Sequence, residues 1–204
     1  MKLFALSGPF DRMAPRLSGL EGESLWRAAV RGESSQTLHT QQSMGGSRWK
    51  DFLWTTLAGT PIIAERLCKQ LQDGGLTGWQ TYPVVVLDAT GVEVQGYRGL
   101  AINGRCRGRI GFDRHESALT YRPSAKGEPM PWFQGLHFNA DTWDGSDFFM
   151  DQDGSGWIIV SERVQTLFKR AKVSNCVLED IESVNRPATP SEIIRTESQE
   201  ARHH

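Results

Sequence analysis

Residues 147–164 read Asp147-Phe148-Phe149-Met150, then Asp151-Gln152-Asp153-Gly154-Ser155-Gly156, then Trp157-Ile158-Ile159-Val160-Ser161-Glu162-Arg163-Val164. An apolar run, a turn of Asp, Gly and Ser, and a β-branched run spell strand, turn and strand. A helix is expected next, over Glu162–Lys172 behind Ser161 as its N-cap. Val164, Leu167, Phe168 and Ala171 fall at i, i+3, i+4 and i+7 and make one apolar stripe. A further strand is expected at Cys176–Val184.

The same order occurs earlier in the chain. Asp51-Phe52-Leu53-Trp54 is followed by the turn-like residues Thr55–Thr60 and then by Pro61-Ile62-Ile63-Ala64-Glu65-Arg66-Leu67. From Ile62 onward an offset of 97 pairs Glu65 with Glu162, Leu71 with Phe168, Thr77 with Ser174 and Gly78 with Asn175. Gly74-Gly75 is expected to end the first helix. A strand follows at Trp79–Leu87, whose run Val84-Val85-Val86-Leu87 suits burial on both faces. Further strands are expected near Tyr97–Asn103 and Gln134–Phe138. The fold class that results is α+β: a mixed, mainly antiparallel sheet with two packed helices, built from a diverged internal repeat. The core spans 51–184, with copies near 51–87 and 147–184.

Outside that core the chain is less periodic. Residues 1–50 are expected to give an N-terminal strand, a short helix from a Ser24 cap through Val30, and a long polar loop over 31–48. A weak strand at Gln36–His39 is the one element expected in that loop. Residues 185–204 have little apolar content and read as a mobile tail. His203 and His204 are given no role, because a terminal His pair also marks a purification tag.

The chain has 204 residues and a mass of 22.8 kDa, with 38% hydrophobic and 23% charged residues. That is enough for a real core and fits one globular domain. No apolar run approaches the roughly 20 residues of a membrane helix, and the start lacks a secretory pattern. Three separated cysteines give no disulfide framework, so a reducing cytoplasm is the expected location. A net charge of −1 excludes a generally basic nucleic-acid binder. The charge is uneven, at +4 over residues 101–127 and −6 over 128–204, which suits a charged partner or simply a solvated surface.

Five groups of residues carry possible chemistry. Asp151–Glu162 fits the calcium-loop pattern, with Asp151, Asp153 and Ser155 at positions 1, 3 and 5, Gly156 at 6 and Glu162 at 12. The segment before it contains Gly145 and reads as loop plus strand, which favours a hairpin turn over an EF-hand. Cys106, His115 and His137 are the parts available for a Cys–His dyad, and no third orienting residue accompanies them. Asp113-Arg114-His115-Glu116 resembles a metal cluster in composition only, since its spacing suits neither a helix nor a strand pair of ligands. Arg105, Arg107 and Arg109 share one face if Gly104–Arg109 is extended, and serve either an anionic partner or a solvated edge. Finally, Asp141, Asp144, Asp147, Asp151 and Asp153 surround Trp143 in a stretch without Lys or Arg. Such a loop is expected to be exposed. Trp143 with Asp144 and Asp147 is a hot spot for a basic protein partner if the indole faces solvent, and a core residue beside a solvated turn if it does not.

Several strings resemble the small proteobacterial immunity proteins kept beside polymorphic, contact-delivered toxins. They are Lys50-Asp51-Phe52-Leu53-Trp54, Pro61-Ile62-Ile63 to Glu65-Arg66, Leu76-Thr77-Gly78-Trp79 with Tyr82-Pro83-Val84, Gly104-Arg105-Cys106, Thr142-Trp143-Asp144-Gly145-Ser146-Asp147 and Ser161-Glu162-Arg163-Val164. The resemblance covers roughly residues 50–184. The basic Arg107-Gly108-Arg109 and the acidic 151–156 loop depart from it. It implies a non-enzymatic α+β inhibitor of a cognate protein toxin, with no catalytic residues and no cofactor. A calcium-binding regulatory or structural protein using loop 151–162 is the alternative.

Overall fold

The apolar strings that decide the fold are continuous because their strands are covered on both sides. The computed structural model of the chain describes residues 2–9, 11–56, 60–112, 117–123, 127–152 and 156–188. In chain order the elements are β1 (Leu3–Ser7), β2 (Pro15–Gly19), α1 (Glu23–Val30), β3 (Leu38–Gly45), β4 (Phe52–Thr55), β5 (Pro61–Ala64), α2 (Glu65–Asp73), β6 (Trp79–Tyr82), β7 (Val84–Leu87), β8 (Tyr97–Ile102) and β9 (Gly104–Cys106). There follow β10 (Ala118–Pro123), β11 (Pro129–Gln134), β12 (Phe148–Asp151), β13 (Ile158–Ser161), α3 (Glu162–Ala171), β14 (Val177–Asp180) and β15 (Asn185–Pro187). The class is mixed α+β with mainly antiparallel pairing. It is divided among three sheets where a single sheet is expected from sequence.

The largest sheet has the order β6-β8-β5-β4-β2-β3-β7. Its two outer strands are consecutive in the chain and separated only by Pro83, so the sheet curls back toward its own beginning. Proline has no amide hydrogen, which ends the pairing of β6 with β8 and starts that of β7 with β3. The expected single strand over 79–87 is therefore two. Trp26 of α1 is fully buried with Leu17, Leu38, Leu53, Ile62, Tyr82 and Val86.

The second sheet has the order β14-β1-β13-β12-β9. Phe148, Ile158 and Val160 pack on one side of it with Leu67 and Leu71 of α2 and Val164, Leu167 and Phe168 of α3. Phe52 and Ile63 of the first sheet join the same core, so both helices lie against both sheets. Phe149 and Ile159 point the opposite way, into a separate cluster with Leu3, Ala5, Cys106, Ile110 and Leu136. This alternation along a strand buried on both faces produces Phe-Phe and Ile-Ile pairs with no polar spacer. The third sheet, β10-β11-β15, is small.

Several expectations fail at the polar ends. The long loop over 31–48 contains β3, which pairs antiparallel with β2 and parallel with β7. Its sequence is polar because most of its side chains face solvent; Leu38 and Thr40 are the buried ones. Ser24 is no cap, since α1 starts at Glu23 behind Gly22. The strand expected at Gln134–Phe138 lies earlier, as β11, and only His137 bridges, to Gly111. The strand expected at Cys176–Val184 is confined to β14. Asn185–Pro187, expected in a mobile tail, pair with β11 as β15; residues 189–204 lie outside the described residues. No helix among the described residues is long and apolar enough to cross a membrane.

Candidate functional site

Asp147 opens β12 and is buried at 3% exposure, contrary to an exposed acidic loop. Its Oδ2 accepts from the Thr77 amide at 3.0 Å, the Thr77 hydroxyl at 3.3 Å and Arg163 at 2.8 Å. Its Oδ1 accepts from the Ser161 hydroxyl at 2.6 Å. Ser161 thus occupies the N-cap position of α3, but its side chain serves Asp147 and makes no cap bond. Arg163 also donates to the Gly74 and Gly75 carbonyls, tying α3 to the end of α2.

Asp51 is held in the same way by the other half of the chain. Its Oδ2 accepts from the Ser174 amide at 2.9 Å and the Ser174 hydroxyl at 2.8 Å, and pairs with Arg66. The Phe52 amide donates to the Ser174 carbonyl, and the Phe148 amide donates to the Thr77 carbonyl. Each segment therefore supplies one carboxylate and one hydroxyl to the other.

Asp144 is exposed yet engaged. It accepts from the amides of Arg105 and Ser146 and from the Ser146 hydroxyl. Burial raises its pKa, but the Ser146 hydroxyl, the two amides and the Arg105 charge overcome that and leave it below the usual carboxylate range. The acidic segment and Arg105, far apart in sequence, are therefore neighbours.

The arginine row does not form. Arg105 is half-buried and donates to the carbonyls of Ile102, Gly104 and Arg31. Burial lowers its pKa, and the nearby Arg31 adds to that. Beyond Cys106 the strand ends, and Gly108 at φ +75° turns the chain, so Arg107 and Arg109 are exposed without sharing a strand face with Arg105. Only these two remain available to an anionic partner.

Trp143 is half-buried. Its ring lies 5.1 Å from that of Phe149, and its Nε1 is buried without a hydrogen-bond partner. The remaining face walls a groove of about 450 Å³ against α3, with Asp147, Glu162, Arg163, Thr166 and Arg170 among its lining. Thr166, Arg163 and Arg170 are on the groove side because they are spaced at about one helical turn. Sequence reasoning missed Arg163, Thr166 and Arg170, although Arg163 was already paired with Arg66 by the offset of 97.

The other candidates are placed as follows. Asp151 is 1% exposed, and its Oδ2 accepts from the Ile110 amide at 2.7 Å. Glu162 is exposed at the first position of α3, and Asp153 lies outside the described residues. β12 pairs antiparallel with β13, so Asp151 ends a strand where a calcium loop needs the end of a helix. Calorimetric titration is therefore expected to show no micromolar calcium binding; micromolar binding that disappears in Glu162→Gln would assign 151–162 to calcium. The Cys106 thiol is buried, and burial followed by the Asp151 and Asp144 charges pushes its pKa up to about 11, opposite to the shift a thiolate nucleophile needs. His137 bridges Gly111, while Asp113, Arg114, His115 and Glu116 lie outside the described residues. Among the described residues no group of three or more His, Cys, Asp or Glu side chains is arranged to hold a metal ion.

Neither protein-family models nor curated proteins match the chain, so its function is read from this geometry and the residues that build it.

Proposed function

We propose that the protein is a non-enzymatic immunity protein that binds and neutralises a cognate protein toxin in the cytoplasm. The observation that carries this reading is the groove between Trp143 and α3. One wall is an aromatic ring backed by Phe149, and the other is a helix face bearing Thr166 and Arg170. Asp144 and Asp147 are fixed by their hydrogen bonds, so the loop between them is held in place before a partner arrives, which lowers the ordering cost of binding. Exposed Glu162 gives the groove negative charge and exposed Arg163 and Arg170 give it positive charge, an arrangement that selects register and raises association rate. The resemblance to immunity proteins supports the same reading, as does a Cys106 thiol held protonated in the core.

The reading treats 51–87 and 147–184 as diverged copies of one unit. The reciprocal bonds of Asp51 with Ser174 and of Asp147 with Thr77 support that, because equivalent residues exchange equivalent partners.

A toxin-bearing reading frame is expected immediately upstream of its gene, and co-expression with that toxin is expected to restore growth. Trp143→Ala is expected to weaken toxin binding by about 2 kcal/mol. Because Trp143 also packs on Phe149, Arg170→Glu serves as the companion variant on an exposed position. Absence of growth rescue overturns the immunity reading. Unchanged affinity in both folded variants moves the interface to Arg107 and Arg109.

A further inference from the structure

We propose that β10 is a self-pairing edge through which two copies of the chain join their three-stranded sheets into one six-stranded sheet. The bonding direction of each β10 residue follows from its neighbours. The Ala188 amide donates to the Pro131 carbonyl, so Pro131 directs its backbone polar groups toward β15. Residues alternate along a strand, so Phe133 also faces β15, and Met130, Trp132 and Gln134 face β10. Their partners in register are Arg122, Thr120 and Ala118. Leu119 and Tyr121 therefore direct their amides and carbonyls outward, where no strand among the described residues pairs with them.

The side chains of the same two residues are exposed, Leu119 at 41% and Tyr121 at 64%. They stand opposite Phe133 and Pro131 and carry an apolar strip out to the sheet edge. Both edges of the five-stranded sheet are blunted. β9 is covered by the 142–144 segment, whose Asp144 amide donates to the Arg105 carbonyl. β14 carries Glu179 and Asp180. Among the described residues nothing covers β10, and it has neither an acidic residue nor a lysine; its one charge, Arg122, lies over the Trp132 ring, and its one proline, Pro123, is the last residue of the strand.

A second copy fits this edge without alteration. Antiparallel pairing about a two-fold axis at Thr120 sets Leu119 against Tyr121 of the other copy, and Tyr121 against Leu119. Both pairs exchange amide–carbonyl bonds, giving four in total. Each places an aliphatic beside an aromatic side chain. Arg122, whose guanidinium lies 4.9 Å over the Trp132 ring, meets Ala118 and not its own copy, so no like charges are opposed. Thr120 meets Thr120 in a close, non-hydrogen-bonded pair with Cα atoms about 4.5 Å apart, within reach of a disulfide.

Sedimentation equilibrium of the full chain from about 1 μM to about 300 μM is expected to show a reversible dimer. Leu119→Lys and Tyr121→Lys are each expected to raise its dissociation constant about tenfold or more, with unchanged circular dichroism. In the otherwise unaltered chain, Thr120→Cys is expected to give a covalent dimer on mild oxidation, absent from the wild type and from Tyr121→Cys. A wild type that stays monomeric throughout overturns the proposal. So does a dimer whose affinity the two lysines leave unchanged, or one that Thr120→Cys fails to cross-link.

Discussion

Asp147→Ala is expected to lower the free energy of unfolding by about 3 kcal/mol, measured by urea denaturation. The carboxylate is buried, and four donors converge on it: the Thr77 amide, the Thr77 and Ser161 hydroxyls, and Arg163. Alanine leaves the buried Ser161 hydroxyl without its acceptor and takes the carboxylate away from the Thr77 amide and hydroxyl. Arg163 contributes less to the loss, because its side chain is 60% exposed and regains water. Asp51→Ala is expected to cost a similar amount, since it loses the Ser174 amide and hydroxyl and Arg66 in the same arrangement. The two losses are expected to add, because the two carboxylates share no hydrogen-bonding partner. A loss below about 0.5 kcal/mol for Asp147→Ala would show that the cross-connection does not hold the two segments together.

Gly78→Ala is expected to be more damaging, at about 4 kcal/mol or more, or to abolish soluble expression. Gly78 has φ +81°, where a side chain is strained, and an added Cβ would overlap the Phe148 carbonyl oxygen. That oxygen belongs to a core strand and cannot retreat. The Gly78 carbonyl also accepts from the amides of Asn103 and Gly104, so a shift there disturbs the passage from β8 to β9. Asn175 is the informative comparison. It too is left-handed, at φ 64°, but its Nδ2 reaches the Phe52 carbonyl at 2.7 Å, so a side chain fits where Gly78 has none. Asn175→Ala is expected to cost only about 1–2 kcal/mol. Equal effects at the two positions would contradict the packing described around Phe148.

The strands and helices of the two apolar segments were legible in the sequence because burial on both faces writes itself into residue type. Phe52-Leu53, Ile62-Ile63, Phe148-Phe149 and Ile158-Ile159-Val160 have no polar spacer, and each lies in a strand with a core on either side. The stripe Val164, Leu167, Phe168 likewise marked α3. β3 was legible only at its start, where the weak strand expected at Gln36–His39 overlaps it; beyond that its pairing is backbone to backbone, and Gln41, Gln42 and Ser43 carry no periodic signal.

The candidate site was legible only as a location. Sequence alone singled out Trp143, Asp144 and Asp147, and two of these line the groove. It could not tell a buried carboxylate from an exposed one, because that depends on whether donors such as Thr77 and Arg163, 70 and 16 residues away, arrive to compensate it. The arginine row failed on the same ground, since the Arg31, Ile102 and Gly104 carbonyls that hold Arg105 are brought to it by the fold. Residue types determined which segments are apolar enough to become core. Tertiary structure alone decided which charges those segments bury, because a charge is buried only where its partners converge, and convergence is a property of three dimensions.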